Sequence, residues 1–230
     1  MIQAILWDVD GTLLDFEKSE WHGIRACLEE IGFYGCDDAM LHRYSEINRL
    51  HWEALERGEL TKQEVLTGRF RTFFEQEGIY CPDIGALNES YQKKLGQDFF
   101  ENENSIALCQ KLHGKYRQYV VTNGTVEAQR NKLEGSGLFA YMDGVFISDE
   151  IGVEKPGIGF FTPILEELRG VPKEGILIVG DSLTSDMRGG NNAGIRCCWY
   201  NPHGKENTAG VRLDCEIRSL WEIEEVLGKF

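Results

Sequence analysis

Five short apolar runs stand out along the chain: Ala4–Asp8, Gln118–Thr122, Gly144–Ser148, Ile176–Asp181 and Arg196–Tyr200. Runs of this length that are apolar throughout, rather than alternating, predict strands buried on both faces. Helical spacing lies between and after the later ones. Phe160, Phe161, Ile164, Leu165 and Leu168 share one face, as do Leu220, Ile223, Val226 and Leu227. Strands alternating with helices predict an α/β core, a parallel sheet covered on both sides.

Between Phe16 and Glu103 no such run occurs. Instead Trp21, Ile24, Leu28 and Ile31 recur at helical spacing, then Leu41, Tyr44, Ile47, His51 and Leu55, then Leu87, Tyr91, Leu95 and Phe99. Thr61 and Glu64 form a capping box ahead of Val65, Leu66, Phe70, Phe73 and Phe74. The pattern predicts an all-helical block, residues 16–103, inserted into an α/β core made of residues 1–15 and 104–230.

Composition narrows the classes. Hydrophobic residues at 42% and charged residues at 27% belong to a globular chain, and 230 residues suffice for one core with a smaller insertion. A net charge of -14 sets the chain against nucleic acid polymers and anionic membranes as partners. It works against small anions too, so a site for one must carry a cation and local donors. The seven cysteines are odd in number and contain no Cys-x-x-Cys. They read as reduced thiols and point to the cytoplasm. The opening MIQAILWDVDG has no basic region before its apolar stretch and is not expected to act as a signal peptide.

The candidate chemistry sits at the ends of the predicted strands. Asp8-Val9-Asp10-Gly11-Thr12 closes the first. Residues two apart on a strand face one side, so both carboxylates can be aimed at one site. Acids so close repel unless a cation or a shared proton compensates. One division of labour has Asp8 bind a metal and attack while Asp10 exchanges a proton with the leaving oxygen. Gly11 would let the backbone approach a phosphate, although the pentapeptide alone is also an ordinary turn. Val120-Val121-Thr122-Asn123-Gly124 ends the second strand, where a hydroxyl and backbone N–H groups can hold phosphate oxygens. Lys155, its backbone restricted by Pro156, can neutralise phosphate and carboxylate alike. Asp181 ends the fourth strand, with Ser182 and Asp186 just beyond. Mg²⁺ takes oxygen ligands including one or two carboxylates, a demand that Asp8, the Asp10 carbonyl and Asp181 would meet. Asp186 and Ser182 would stand one layer out, orienting a water or Lys155. Open α/β sheets bind ligands at this carboxyl end of their strands.

D-x-D-G-T, T-N-G, E-K-P and G-D-S-x-x-x-D, in that order, resemble the haloacid dehalogenase-like hydrolase superfamily. The resemblance implies a Rossmann-like core of strand order 3-2-1-4-5 with a helical cap inserted after the first motif. It implies Asp8 as nucleophile and metal ligand and Asp10 as general acid/base and carbonyl ligand. Thr122, Asn123 and Lys155 would bind phosphate, and Asp181 would complete a Mg²⁺ site. Dehalogenases of this fold lack the second aspartate, so Asp10 speaks for phosphate esters. Phosphomutases and sugar-phosphate phosphatases share the motifs and stay open at this point. Ile47-Asn48-Arg49-Leu50-His51-Trp52, Gly68-Arg69-Phe70, Ser148-Asp149-Glu150-Ile151-Gly152-Val153 and Gly189-Gly190-Asn191-Asn192-Ala193-Gly194 resemble the YjjG-type pyrimidine 5'-nucleotidases. That implies a small phosphorylated metabolite, a (deoxy)pyrimidine nucleoside monophosphate, as substrate. Asn48, Arg49, Trp52 and Arg69 are the candidates for touching its sugar or base, since rings stack and amides pair with base edges. A non-catalytic phosphoacceptor switch would need neither Asp10 nor the helical block.

Overall fold

β1 (Ala4–Trp7) is buried at every position and lies at the centre of the sheet in the computed structural model, which describes all residues from Met1 to Phe230. Its neighbours are β2 (Arg117–Thr122) and β4 (Ile176–Gly180). β3 (Gly144–Ile147) extends one side, and β5 (Arg196–Tyr200) with β6 (Cys215–Ile217) extends the other. All pairings are parallel, giving the order β3-β2-β1-β4-β5-β6. The Rossmann-like order 3-2-1-4-5 is as expected, with β6 added at the edge. That strand has three residues, too few to leave a periodicity.

A strand held on both sides must send alternate side chains into different cores. Ile5 and Trp7 join Val120 and Leu177 beneath α5 (Ser105–Leu112) and α10 (Ile223–Lys229). Ala4 and Leu6 join Val121 and Ile178 beneath α8 (Ile158–Glu167) and α9 (Arg188–Ala193). Of the remaining helices, α6 (Val126–Ser136) follows β2, and α7 (Ser148–Ile151) is a single turn after β3.

Four helices lie between β1 and α5: α1 (Phe16–Glu30), α2 (Asp38–Glu56), α3 (Lys62–Glu77) and α4 (Ile84–Gln97). Asp15, Asp37, Thr61 and Asp83 cap them by accepting the N–H three residues on. Thr61 and Glu64 make the reciprocal box the sequence predicts. Their shared core is aromatic, with Tyr44, Phe70, Phe73 and Tyr91 ring centroids 5.3 to 6.0 Å apart, and it is separate from both sheet cores. The chain leaves and rejoins the sheet side by side: Asp15 N–H donates to the Phe100 carbonyl at 2.9 Å and Asn102 N–H to that of Leu13 at 3.1 Å. No helix is long and apolar enough to cross a membrane.

Candidate active site

The carboxyl ends of β1, β2 and β4 open into a cavity of ≈ 180 Å³ roofed by the four helices. Asp8, Asp10, Thr122, Asn123, Lys155, Asp181, Ser182 and Asp186, far apart in sequence, all line it. Sheet geometry gathers most of them because three neighbouring parallel strands end there, while Lys155 enters on the loop that follows α7.

Lys155 is the centre. Its ammonium, 1% exposed, donates to Asp8 Oδ1 at 2.8 Å, Asp186 Oδ1 at 2.7 Å and the Val121 carbonyl at 2.7 Å. Burial works against this charge, but the Asp186 and Asp8 carboxylates outweigh it and hold Lys155 above its ordinary value. Asp8 has its own pKa raised well above the usual carboxylate range. Burial is the main cause and Asp186 the next, with Lys155 only partly opposing them. Asp181 is pushed up to about 7, first by the protein around it and then by Asp186, although its carboxylate keeps a path to water that tempers the effect. Three carboxylates thus face one ammonium.

That excess suits a cation. Oxygens of Asp8, Asp181 and Asp186 lie within 4.8 Å of one another, a hard-oxygen set matched to Mg²⁺. Asp186, however, spends Oδ1 on Lys155 and Oδ2 on the Ser182 N–H (3.1 Å), so it supports the site from behind. Ser182 itself caps the turn by accepting the Ser185 N–H at 3.1 Å.

Several expectations need correction. The Asn123 side chain lines the cavity but spends its amide on the lysine loop. Its Oδ1 accepts the Lys155 N–H at 2.8 Å and its Nδ2 donates to the Lys155 carbonyl at 2.9 Å, so it clamps the lysine loop onto the T-N-G turn. Gly11 makes room for a carboxylate: at φ +89° it lies where a Cβ would come within 2.8 Å of Asp181 Oδ2. Arg49 does not reach the cavity and pairs on the surface with Glu46 and Glu53, as i,i+3 and i,i+4 neighbours do on a helix. Asn48 is buried among the helices, donating to Glu20 at 2.7 Å and accepting from Arg69 at 2.9 Å. Trp52 and Arg69 do line the cavity.

Polar residues in and beside the cavity were missed by sequence reasoning. Thr12 accepts the Asp181 N–H at 3.1 Å, with its hydroxyl 3.3 Å from Asp8 Oδ2. Lys132 and Gln129 both hold Asp10 at 2.6 Å. Gln92 and Glu56 come from the helical block. Thr12 was legible as the last letter of D-x-D-G-T. The others are lone polar residues on helices and carry no local signal.

The polar network inside the four helices yields a pH prediction. Glu20, 3% exposed, accepts from Ser45 and Asn48, yet burial pushes it up to about 7 from an unfolded value near 4.5. A carboxyl whose folded pKa is raised stabilises fully below the unfolded pKa, and stability is lost as pH rises through the folded one. Stability should therefore fall between about pH 5 and pH 7 by up to about 3 kcal/mol from this group. Denaturant unfolding of Glu20→Gln beside wild type checks it: the variant should gain relative to wild type across that window. A constant difference would remove Glu20 as the cause.

The model of the haloacid dehalogenase-like hydrolases matches residues 2–194. The chain belongs to that family. It is 35% identical over 226 residues to the pyrimidine 5'-nucleotidase PynA of Streptococcus pneumoniae, covering 98% of this chain and 94% of that one. It is 30% identical to the pyrimidine 5'-nucleotidase YjjG of Escherichia coli, covering 98% and 97%. Among solved structures, the HAD-hydrolase YfnB of Bacillus subtilis, crystallised with magnesium bound, superposes with a TM-score of 0.92 at 33% identity, covering 98% of each chain. The haloacid dehalogenase of Xanthobacter autotrophicus shares only the fold, at 17% identity and a TM-score of 0.79. This haloacid dehalogenase-like hydrolase is a phosphatase, and Asp10 lines the cavity together with Asp8.

Proposed function

We propose that the protein is a Mg²⁺-dependent 5'-nucleotidase that hydrolyses (deoxy)pyrimidine nucleoside monophosphates. The observation that carries this reading is one cavity lined by both the catalytic carboxylates and Trp52, with relatives named for that activity matching nearly the full chain. Residues 16–103 act as a cap that supplies the leaving-group side. Residues 1–15 and 104–230 act as the core that handles phosphate.

Asp8 and Asp181 would hold Mg²⁺, which supplies charge neutralisation for the incoming phosphate dianion. Asp8 attacks phosphorus: a P–O bond forms to its carboxylate as the bond to the 5'-oxygen breaks. Asp10 gives its proton to that oxygen, and the nucleoside leaves. In the second half, Asp10 takes a proton from water. The water oxygen bonds to phosphorus, the bond to Asp8 breaks, and phosphate is released. Lys155 keeps its positive charge throughout, against Asp8 and the phosphoryl oxygens. The Thr122 hydroxyl accepts the Gly124 N–H at 3.1 Å and fixes the loop that meets the phosphate.

The test is phosphate release from pyrimidine and purine 5'-monophosphates, sugar phosphates and β-glucose 1-phosphate, with Mg²⁺ and with EDTA. Release favouring dUMP, UMP or dTMP and abolished by EDTA is expected. A preference for sugar phosphates would discard the nucleotidase reading, and interconversion without release would make the protein a mutase. Trp52→Ala should raise KM for the nucleotide by about tenfold with kcat within about threefold, the signature of lost ground-state stacking. An unchanged KM would remove Trp52 from the substrate site.

A further inference from the structure

Lys132 is 1% exposed, and an ammonium is buried only where a partner compensates it. Its partner is Asp10 Oδ1 at 2.6 Å, and the Phe16 ring lies 5.8 Å from its Nζ. Gln129, three residues earlier on α6 and also buried, donates to the other oxygen, Asp10 Oδ2, at 2.6 Å. Residues three apart share a helix face, so one face of α6 grips both oxygens of one carboxylate. Two further observations converge on this clamp. Gln129 Oε1 is buried with no partner in the protein, although Gln129 lines the cavity. And Gly124, the glycine of T-N-G, lies where any Cβ would collide with the Gln129 amide.

We propose that Lys132 and Gln129 are positioning residues for the reaction, fixing the direction in which Asp10 presents its carboxyl to the leaving oxygen and then to water. This rests on the acid/base role given to Asp10 above. A carboxylate held at both oxygens cannot swing, so the proton transfers that Asp10 makes in the two half-reactions share one geometry. Gln129 Oε1 offers an acceptor to the hydroxyl or water that arrives beside it. Gly124 is needed because Gln129 folds back across the turn.

An alkyl ester leaves as a poor alkoxide and needs its proton, whereas p-nitrophenolate leaves without one. Rapid-quench and burst kinetics with both esters, with Mg²⁺, separate the steps. Lys132→Met should slow the first half-reaction of a nucleoside monophosphate by about 10²-fold, the low end of what acid–base catalysis contributes. The p-nitrophenolate burst should stay within about threefold, while its steady-state rate drops and phosphorylated enzyme accumulates. Lys132→Arg should recover part of the loss. Gln129→Met should show the same pattern more weakly, and it carries the test if Lys132→Met fails to fold. Equal losses in both first half-reactions, or a rise in KM alone, would overturn the inference while leaving the phosphatase reading intact. Wild-type protein that hydrolyses neither ester would overturn both.

Discussion

Asp8→Asn is expected to lower kcat by about 10⁴-fold or more, the scale of losing a covalent nucleophile, while leaving the metal-free protein more stable than wild type. The two halves of this expectation have one cause. Burial and Asp186 raise the Asp8 pKa well above its ordinary value, so the ionised form that attacks is the one the folded protein disfavours. An amide keeps the shape and can still accept from Lys155, without the repulsion from Asp186 and Asp181. The gain in stability should grow as pH rises above the usual carboxylate range, because the wild-type group is then asked to ionise. Thermal unfolding in EDTA and steady-state phosphate release check both halves. A variant that keeps more than a tenth of the activity would rule out covalent attack by Asp8. A variant that loses stability would mean that Lys155 outweighs the neighbouring acids.

The sheet and the residues at its strand ends were legible because both rest on local signals. A central parallel strand must be apolar throughout, so β1, β2 and β4 are visible as runs, and motifs at strand ends are short and contiguous. Asp8 and Asp181 meet because β1 and β4 end side by side, and Lys155 reaches them from the loop after α7, clamped to the T-N-G turn by Asn123. The helical block was equally visible, since a buried stripe such as Tyr44, Ile47 and Leu41 leaves a period. What escaped was whatever depends on direction at a distance. Asn48 and Arg49 are adjacent on α2, yet one turns into the helical core and the other to water, so a shared motif gave them a shared role that geometry denies. Lys132 and Gln129 look like the solvated face of an ordinary helix until α6 is packed against α4 and that face meets Asp10. β6 was too short to announce itself.

Lys155→Met should be the most damaging substitution for stability, because the lysine holds an arrangement that otherwise repels itself. Without it the Asp8 and Asp186 carboxylates, 2.8 and 2.7 Å from Nζ, face each other across an apolar side chain, and the Val121 carbonyl loses its donor. Removing one partner of a buried ion pair costs about 3–5 kcal/mol. For a chain of this size that is a fall of roughly 10 °C in Tm. Activity should fall by about 10³-fold, because the cation that faces the phosphoryl oxygens goes with it. Two further measurements separate charge from packing. Mg²⁺ should raise the Tm of the variant by more than it raises that of wild type, since it then replaces the positive charge that the acids have lost. Adding Asp186→Asn to Lys155→Met should restore part of the stability, a coupling that a double-mutant cycle reads directly. If the second substitution restores nothing, the loss belongs to packing around the lysine stem, and the three-acid balance is not what fixes this site.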